Sequence, residues 1–397
     1  MLLGVGLLVV GIPGLLLYIR ATAPKLHPDP RNIPLVTNSP PLAKWTVAVE
    51  QGREIVRMNL AERNVPGISV AVGIGGEIVW AEGFGFANYE NRLPVTPDDR
   101  FPIGTAATVL TSAAIGLLIE EDRIKLDDQI QAYVTEFPEK QWPLTIRQVM
   151  GHVGGVKTED WDEGVLIYKH CERPSDALDL FAKDPLLFQP GSEYRYSTFG
   201  WILLSAAVET AAGKPFKAFL QDRVFLPLGM LNTVKESGLD AVPDEVTFYV
   251  PRFLANPRNG LNPLQLRKFD YSCHAGSSGF VSTPSDLVRF GMAINGGKLL
   301  RRGTVRTLQT SQRTASGMET GYGLGWDLKA VMFAGQPVRT AGHNGDFWGG
   351  PVSSLVTFPD YGIVVAVTSN ITDADTFSLA VKIAEAFVEQ GRFPPRE

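Results

Sequence analysis

The run FPIGTAATVLTSAAIGLLIEEDRIKLDD at positions 101–128 decides the fold. From Thr108 to Ile119 it holds no charged side chain, and acids return only at Glu120. A helix without a polar face is buried on all sides, so a helix over 105–121 is expected to run through a core with other elements packed around it. Thr105 and Thr108 stand three residues apart at its start and share one face. Two readings of this pair are open. Thr105 caps the helix while Thr108 packs in the first turn; or Thr105 is a nucleophile, in which case it needs a base that Thr108 cannot supply.

Outward from this helix the pattern changes on both sides. Downstream, helical signals continue at 145–152, 175–183, 198–212 and 216–223. Upstream, a helix at 45–63 precedes ISVAVGI at 68–74, a Gly75-Gly76 turn and EIVWAEGFGFAN at 77–88, which together read as a β-hairpin. After Gly279 come a helix at 284–295, strand-like runs at 322–328, 352–358 and 362–370, and a closing helix at 376–390. Strands therefore bracket the helices. The simplest assembly is an α/β domain, an antiparallel sheet flanked by the first and last helices, with an all-helical lobe over about 105–275 and a cleft where the two meet.

Among the 397 residues 44% are hydrophobic and 20% charged, enough to bury a large core without a partner. Lys and Arg total 37 against 42 Asp and Glu, a net charge of −5, and this balance excludes nucleic acid as a partner. Cys171 and Cys273 are too few for a disulfide scaffold or a four-thiolate zinc site; they form one bridge in an exported domain and remain two buried thiols otherwise. His170-Cys171 and Cys273-His274 are neighbours in sequence, and adjacent residues of an extended chain point in opposite directions, so no metal is expected, nor any other cofactor. The Asn370-Ile371-Thr372 sequon matters only in a eukaryotic secretory setting. Residues 1–19 carry no charge and are long enough to cross a bilayer as a helix. The expected organisation is a membrane anchor at 1–20, a Pro-rich linker at 21–41 and a globular domain at 42–397, the domain lying periplasmic or otherwise extracytoplasmic. A cleaved signal peptide is the competing reading of the first segment, and Arg20 and Lys25 bias the downstream flank toward the cytoplasm.

Four further blocks join the first: LTIRQVMGHVGG at 144–155, PGSEYRYSTFGW at 190–201, AGSSGFVSTPSDLVRFG at 275–291 and GHNGDFWGG at 342–350. In this order they resemble the serine beta-lactamase-like and penicillin-binding group, which takes in AmpC-type beta-lactamases, D-alanyl-D-alanine carboxypeptidases, esterases and mitochondrial beta-lactamase-like proteins. The resemblance runs from about Leu42 to the C-terminus. It implies an acyl-transfer site in which an S-x-x-K pair opens the central helix; here Thr105 stands in place of the serine and Thr108 in place of the lysine. It also implies that Tyr196, in Tyr196-Ser197-Thr198, is a general base or proton shuttle. An ordinary phenol titrates near pH ~10 and needs neighbouring cations to act near neutrality. His343-Asn344-Gly345 occupies the strand at the far wall, with His343 near Tyr196 or the substrate, and the Asp346 amide is implied to pair with that of Thr105 as an oxyanion hole. Thr198, Asn344 and Gly345 are implied to contact substrate, while His152 packs beneath the site. The Asp346 carboxylate disfavours beta-lactams and favours neutral esters or amides. Two functions follow. One is a membrane-anchored hydrolase of small-molecule or peptide substrates; the other is an inactive relative that binds peptide or cell-wall ligands or self-assembles. A third arrangement makes Ser277 or Ser278 the nucleophile, beside His274.

Overall fold

Strands from the two ends of the chain interleave in one antiparallel sheet. β1 (Leu35–Thr37), β2 (Gly67–Ile74) and β3 (Glu77–Asn88) come from the N-terminal side, and β4 (Asp327–Phe333), β5 (Gln336–Phe347), β6 (Gly350–Phe358) and β7 (Ile363–Ser369) from the C-terminal side. Their order is β1-β3-β2-β7-β6-β5-β4, with the short Leu93–Pro94 strand beside β3. The computed structural model describes residues 25–158, 166–167, 169–235, 242–251, 264–265, 270–347 and 349–391. The principal helices are α1 (Thr46–Arg63), α2 (Thr108–Glu120), α3 (Thr198–Ala212), α4 (Ala275–Ser278), α5 (Pro284–Asn295) and α6 (Thr376–Gly391).

The middle strand shows why the sheet is covered on both faces. Every residue of β7 is buried, and its side chains alternate between two cores. Ile363, Val365 and Val367 join Val49, Val56 and Leu60 of α1 and Leu379, Ile383 and Phe387 of α6. Val364 and Ala366 point the other way, into the core built around α2, α3 and α5. An uninterrupted apolar strand is what such double burial selects. The turn between β2 and β3 is made by Gly75 and Gly76 at φ +65° and +95°, left-handed values that a tight hairpin needs and that glycine adopts without strain.

The uncharged helix lies where its composition requires, with all residues from Thr108 to Leu118 buried. Its start differs from the expectation: Gly104–Ala107 is a 3₁₀ turn without a side-chain cap, and the α-helix begins at Thr108. The helices expected at 198–212 and 284–295 match α3 and α5, whose caps are Ser197 and Thr283. The stretch at 175–183 forms a 3₁₀ helix at Pro174–Leu180, and 216–223 divides into Phe216–Leu220 and a π turn at Gln221–Phe225.

The strand expected at 322–328 is displaced to β4. Tyr322, Leu324 and Trp326 are buried, yet they lie in an irregular segment broken by Gly321 and Gly325 at φ +71° and +94°. Their alternation reflects packing against α2: the Ser112 hydroxyl donates to the Leu324 carbonyl at 2.6 Å and accepts from the Trp326 indole at 3.2 Å. The Pro-rich run expected as a linker also differs from Lys25 onward. β1 pairs with β3 through Leu35↔Phe84, Leu26 and Ile33 are buried, and His27 Nε2 lies 2.8 Å from the Val65 carbonyl. Proline bars helix but leaves an extended chain free to join a sheet edge.

The expected anchor at 1–20 lies outside the described residues; among the described residues no helix is long and apolar enough to cross a membrane. Cys171 and Cys273 are bridged, with Cα atoms 4.8 Å apart, so neither supplies a thiolate to a metal. Asn370 of the sequon is fully buried and its amide donates to the Phe86 carbonyl at 2.9 Å, which closes it to glycosylation in the folded chain. The two-core architecture has a measurable consequence. Leu355→Ala, in the middle of β6 and fully buried, is expected to lower the unfolding free energy by about 2–5 kcal/mol in urea denaturation, whereas Met332→Ala on the exposed edge of β4 changes it by less than about 0.5 kcal/mol.

Candidate active site

The turn that opens α2 is pressed against β5 with no space for a side chain between them. A Cβ on Gly345 would lie 1.9 Å from the Ile103 carbonyl oxygen, and one on Gly104, itself at φ +53°, would lie 2.2 Å from that of Asp346. The Ser353 hydroxyl donates to the same Ile103 carbonyl at 2.7 Å and fixes the approach. A bulge between Gly345 and Asp346 shifts the β5–β6 register here, and the Asp346 N–H donates to Thr105 Oγ1 at 3.0 Å. Thr105 Oγ1 in turn donates to the Asn344 carbonyl at 3.2 Å. The expected oxyanion-hole amide therefore holds the threonine hydroxyl itself, and Thr105 bonds across to β5 rather than capping its own helix.

Thr108 is fully buried and faces the Tyr322 phenol; it brings no charge to the site. Tyr322 is the residue that sequence reasoning missed. Its hydroxyl donates to His343 Nε2 at 3.0 Å, while His343 Nδ1 lies 2.5 Å from the Asn344 carbonyl, so the ring is the Nδ1–H tautomer. Burial holds the His343 imidazolium below its ordinary range and pushes the Tyr322 phenol well above its own. The pair rests as neutral imidazole and neutral phenol. A signal was present in GYGLG at 321–325, since glycines on alternate positions do not build a strand and an aromatic among them is held for its side chain.

Tyr196 lies within this aromatic group. Its ring centre is 4.1 Å from that of His152, 6.0 Å from His343 and 6.1 Å from Tyr322. Next to it, Tyr194 is pushed up to about 12 by burial and the Asp327 carboxylate. His152 sits beneath at φ +57°, with the Ser197 N–H 3.0 Å from Nδ1 and the Trp201 indole N–H 3.1 Å from Nε2. A neutral ring can accept only one of these donors and an imidazolium neither, which together with burial keeps the ring from protonating. His152 cannot shuttle protons and acts as a packing residue.

Of two expected substrate contacts, one is buried and the other is bonded within the sheet. Thr198 is buried as the first residue of α3, and the Asn344 carboxamide accepts from Ser354, whose hydroxyl also meets Thr376 at the start of α6. Gly345 contributes its backbone, and Asp346 is an exposed residue of β5 whose carboxyl is raised above its ordinary range by the protein packed around it. Ser277 and Ser278 are buried; the Ser277 hydroxyl donates to the His274 carbonyl at 2.5 Å, and burial lowers His274 to about 4. That geometry gives neither serine an activating base. The charges felt by His343 come from Asp327, Asp346 and Lys329, and Lys329 is 3.3 Å from Asp327. Among the described residues no three His, Cys, Asp or Glu gather as a metal site.

Residues 51–387 match the family model described as Beta-lactamase. The chain is 26% identical, over 460 aligned positions, to the serine beta-lactamase-like protein LACTB, mitochondrial, of Mus musculus, across 88% of this chain and 82% of that protein. It is 27% identical over 284 positions to a D-aminopeptidase of Brucella anthropi, across 70% of this chain and 51% of that protein. Its fold is similar to that of the octameric penicillin-binding protein homologue from Pyrococcus abyssi, with a TM-score of 0.71 at 22% identity, covering 86% of this chain and 77% of the other.

The glycine contact makes Gly345→Ala a severe change, expected to cost more than about 2 kcal/mol of stability on urea denaturation because backbone must move to admit the methyl. The buried histidines set a pH dependence. His27, His152, His274 and His343 all have pKa values lowered by burial, so below pH ~6.5 the unfolded chain binds protons that the folded one refuses. Stability present above that pH is lost as pH falls toward the folded-state values, by up to about 1.4 kcal/mol per pH unit for each histidine. Urea titrations between pH 7 and 5 should show this decline, and His274→Asn should flatten it; an unchanged slope would contradict the burial argument.

Proposed function

The chain belongs to the beta-lactamase family, and on that premise we propose that it hydrolyses ester or amide bonds of small-molecule or peptide substrates by acyl transfer to Thr105, without a lysine partner. One observation carries this reading: the Thr105 hydroxyl is held 3.0 Å from the Asp346 N–H, at the point where an acyl carbonyl must meet both nucleophile and amide. Rotation about χ1 of Thr105 breaks its bonds to Asn344 and Asp346 together, so the amide is vacated as the oxygen turns to attack. Attack forms the Oγ1–carbon bond, shifts the carbonyl electron pair onto oxygen opposite Asp346 N–H, and passes the hydroxyl proton to the Tyr196 phenol as that phenol releases its own proton toward the leaving group. The leaving group takes that proton as the bond to it breaks, and water repeats the sequence to free the acid. Tyr196 takes this role because burial between two N–H donors keeps His152 from taking up a proton and His343 Nε2 is occupied by Tyr322. The extra methyl of threonine and the missing amine make this a slow enzyme.

The Asp346 carboxylate favours neutral substrates, and the relative named D-aminopeptidase supports a peptide-like amide among them. An uncharged run at 1–19 and the Cys171–Cys273 bridge support a membrane-anchored domain in an oxidising, extracytoplasmic compartment. A second reading, an inactive relative that binds peptide or cell-wall ligands, is favoured by the same hydroxyl filling the amide and by the buried, uncharged Thr108. Intact-mass spectrometry after incubation with a fluorophosphonate, a penicillin and an activated ester separates the two. The hydrolase gives one adduct that maps to Thr105, disappears in Thr105→Ala and forms about 100-fold more slowly in Tyr196→Phe. Absence of any adduct on folded protein selects the binding module.

A further inference from the structure

A hollow of about 500 Å³ opens between the Gly75 and Gly76 turn, the end of α5, the helix Arg302–Leu308 and the turn at 359–362. It lies at the opposite end of the sheet from Thr105. Phe358 pairs with Ile363 beside the hollow, whereas Asp346 pairs with Pro351 at the site, a separation of about 25 Å along the strand.

Its lining is one-signed. Lys298, Arg302 and Arg306 face it and, among the described residues, no carboxylate does. Arg302 and Arg306, four residues apart on one short helix, share a face and repel each other; neighbouring Arg301, by contrast, is engaged by Glu120 at 3.2 Å. Two more donors are stranded there. Asn295 Nδ2 and Gln309 Nε2 are buried without an acceptor among the described residues, and both residues line the hollow. The carbonyls that close α5 are already used: Met292, Ala293 and Ile294 accept from the N–H groups of Gly296, Lys298 and Gly297 at 2.9, 2.9 and 3.2 Å. What the polar wall offers is therefore donors and positive charge. Met292, Ile294, Val305, Pro359 and Val364 supply an apolar wall.

We infer that this hollow binds a small organic anion, a phosphate or carboxylate head on a short apolar body. Two guanidinium groups present forked donors that match either head, and the lysine adds a third charge. The apolar wall takes the body of the ligand. The site is distinct from Thr105 and its occupancy is independent of whether Thr105 reacts.

Calorimetry of the full chain with phenyl phosphate and with inorganic phosphate tests this. The expected result is saturable one-to-one binding of phenyl phosphate, at least tenfold tighter than inorganic phosphate, that weakens with added salt and raises Tm by a few degrees at saturation. The double variant R302Q/R306Q, altered only at exposed positions, should raise Kd at least tenfold while keeping the Tm of the unliganded protein. Sedimentation with vesicles containing phosphatidylserine, against vesicles of phosphatidylcholine alone, identifies the source of the head group. A preference for anionic vesicles that R302Q/R306Q abolishes assigns it to a lipid; phenyl phosphate binding without that preference assigns it to a free molecule. Failure of both probes, or equal binding by the double variant, overturns the inference.

Discussion

Three distant segments meet where the backbone of Ile103 and Gly104 touches β5. The Ile103 N–H donates to Phe280 at 3.1 Å, its carbonyl accepts from Ser353, and Gly345 lies across that carbonyl where even a methyl would collide. Residues near 103, 280 and 345 come from the sheet side, the rim of the helical lobe and the far strand, so this contact sets how the lobes sit together. It also sets the site. Once Gly104 and Gly345 are in contact, α2 has to leave in one direction, and the Asp346 amide has to face residue 105. The position of residue 105 against the Asp346 amide is thus set by backbone packing.

This explains how the fold tolerates threonines where the resemblance implies serine and lysine. A buried amine is costly unless partners surround it, while a threonine in the same place hides a methyl and one hydroxyl. Thr108 removes that cost and leaves α2 wholly uncharged in its buried part. The consequence is an electrically quiet site. His343 and Tyr322 are held neutral by burial and by each other, burial keeps His152 unprotonated, and the nearby acids are Asp327 and Asp346.

The parts of the structure legible from sequence are those whose information is local. α3 and α5 have caps at Ser197 and Thr283 and unbroken interiors, the β2–β3 turn needs two glycines, and α2 has no polar face to misplace. β4 was not legible because an exposed edge strand carries no alternation, while the buried Tyr322, Leu324 and Trp326 imitate one. The site divides in the same way. Its members follow from motif order, but the partners of Thr105 and Asn344 lie across the fold. Whether a hydroxyl caps a helix or crosses to a strand is decided by a contact 239 residues away in the chain, which no local pattern encodes.

The sheet ends in two opposite electrostatic settings. At one end the groups acting on His343 are two carboxylates and a lysine already beside Asp327; at the other, three cations surround a hollow without a carboxylate among the described residues. The spacing of about 25 Å exceeds the screening length of about 8 Å at physiological salt, so neither end alters the other's field appreciably. An anionic molecule is drawn to Arg302 and Arg306 and repelled from Asp346, whereas a neutral acyl group meets no penalty at Thr105. Charge alone therefore sorts ligands between the two ends. An anion that occupied the cationic end could influence Thr105 only mechanically, through β6 and β7 and the packing of α5 against them.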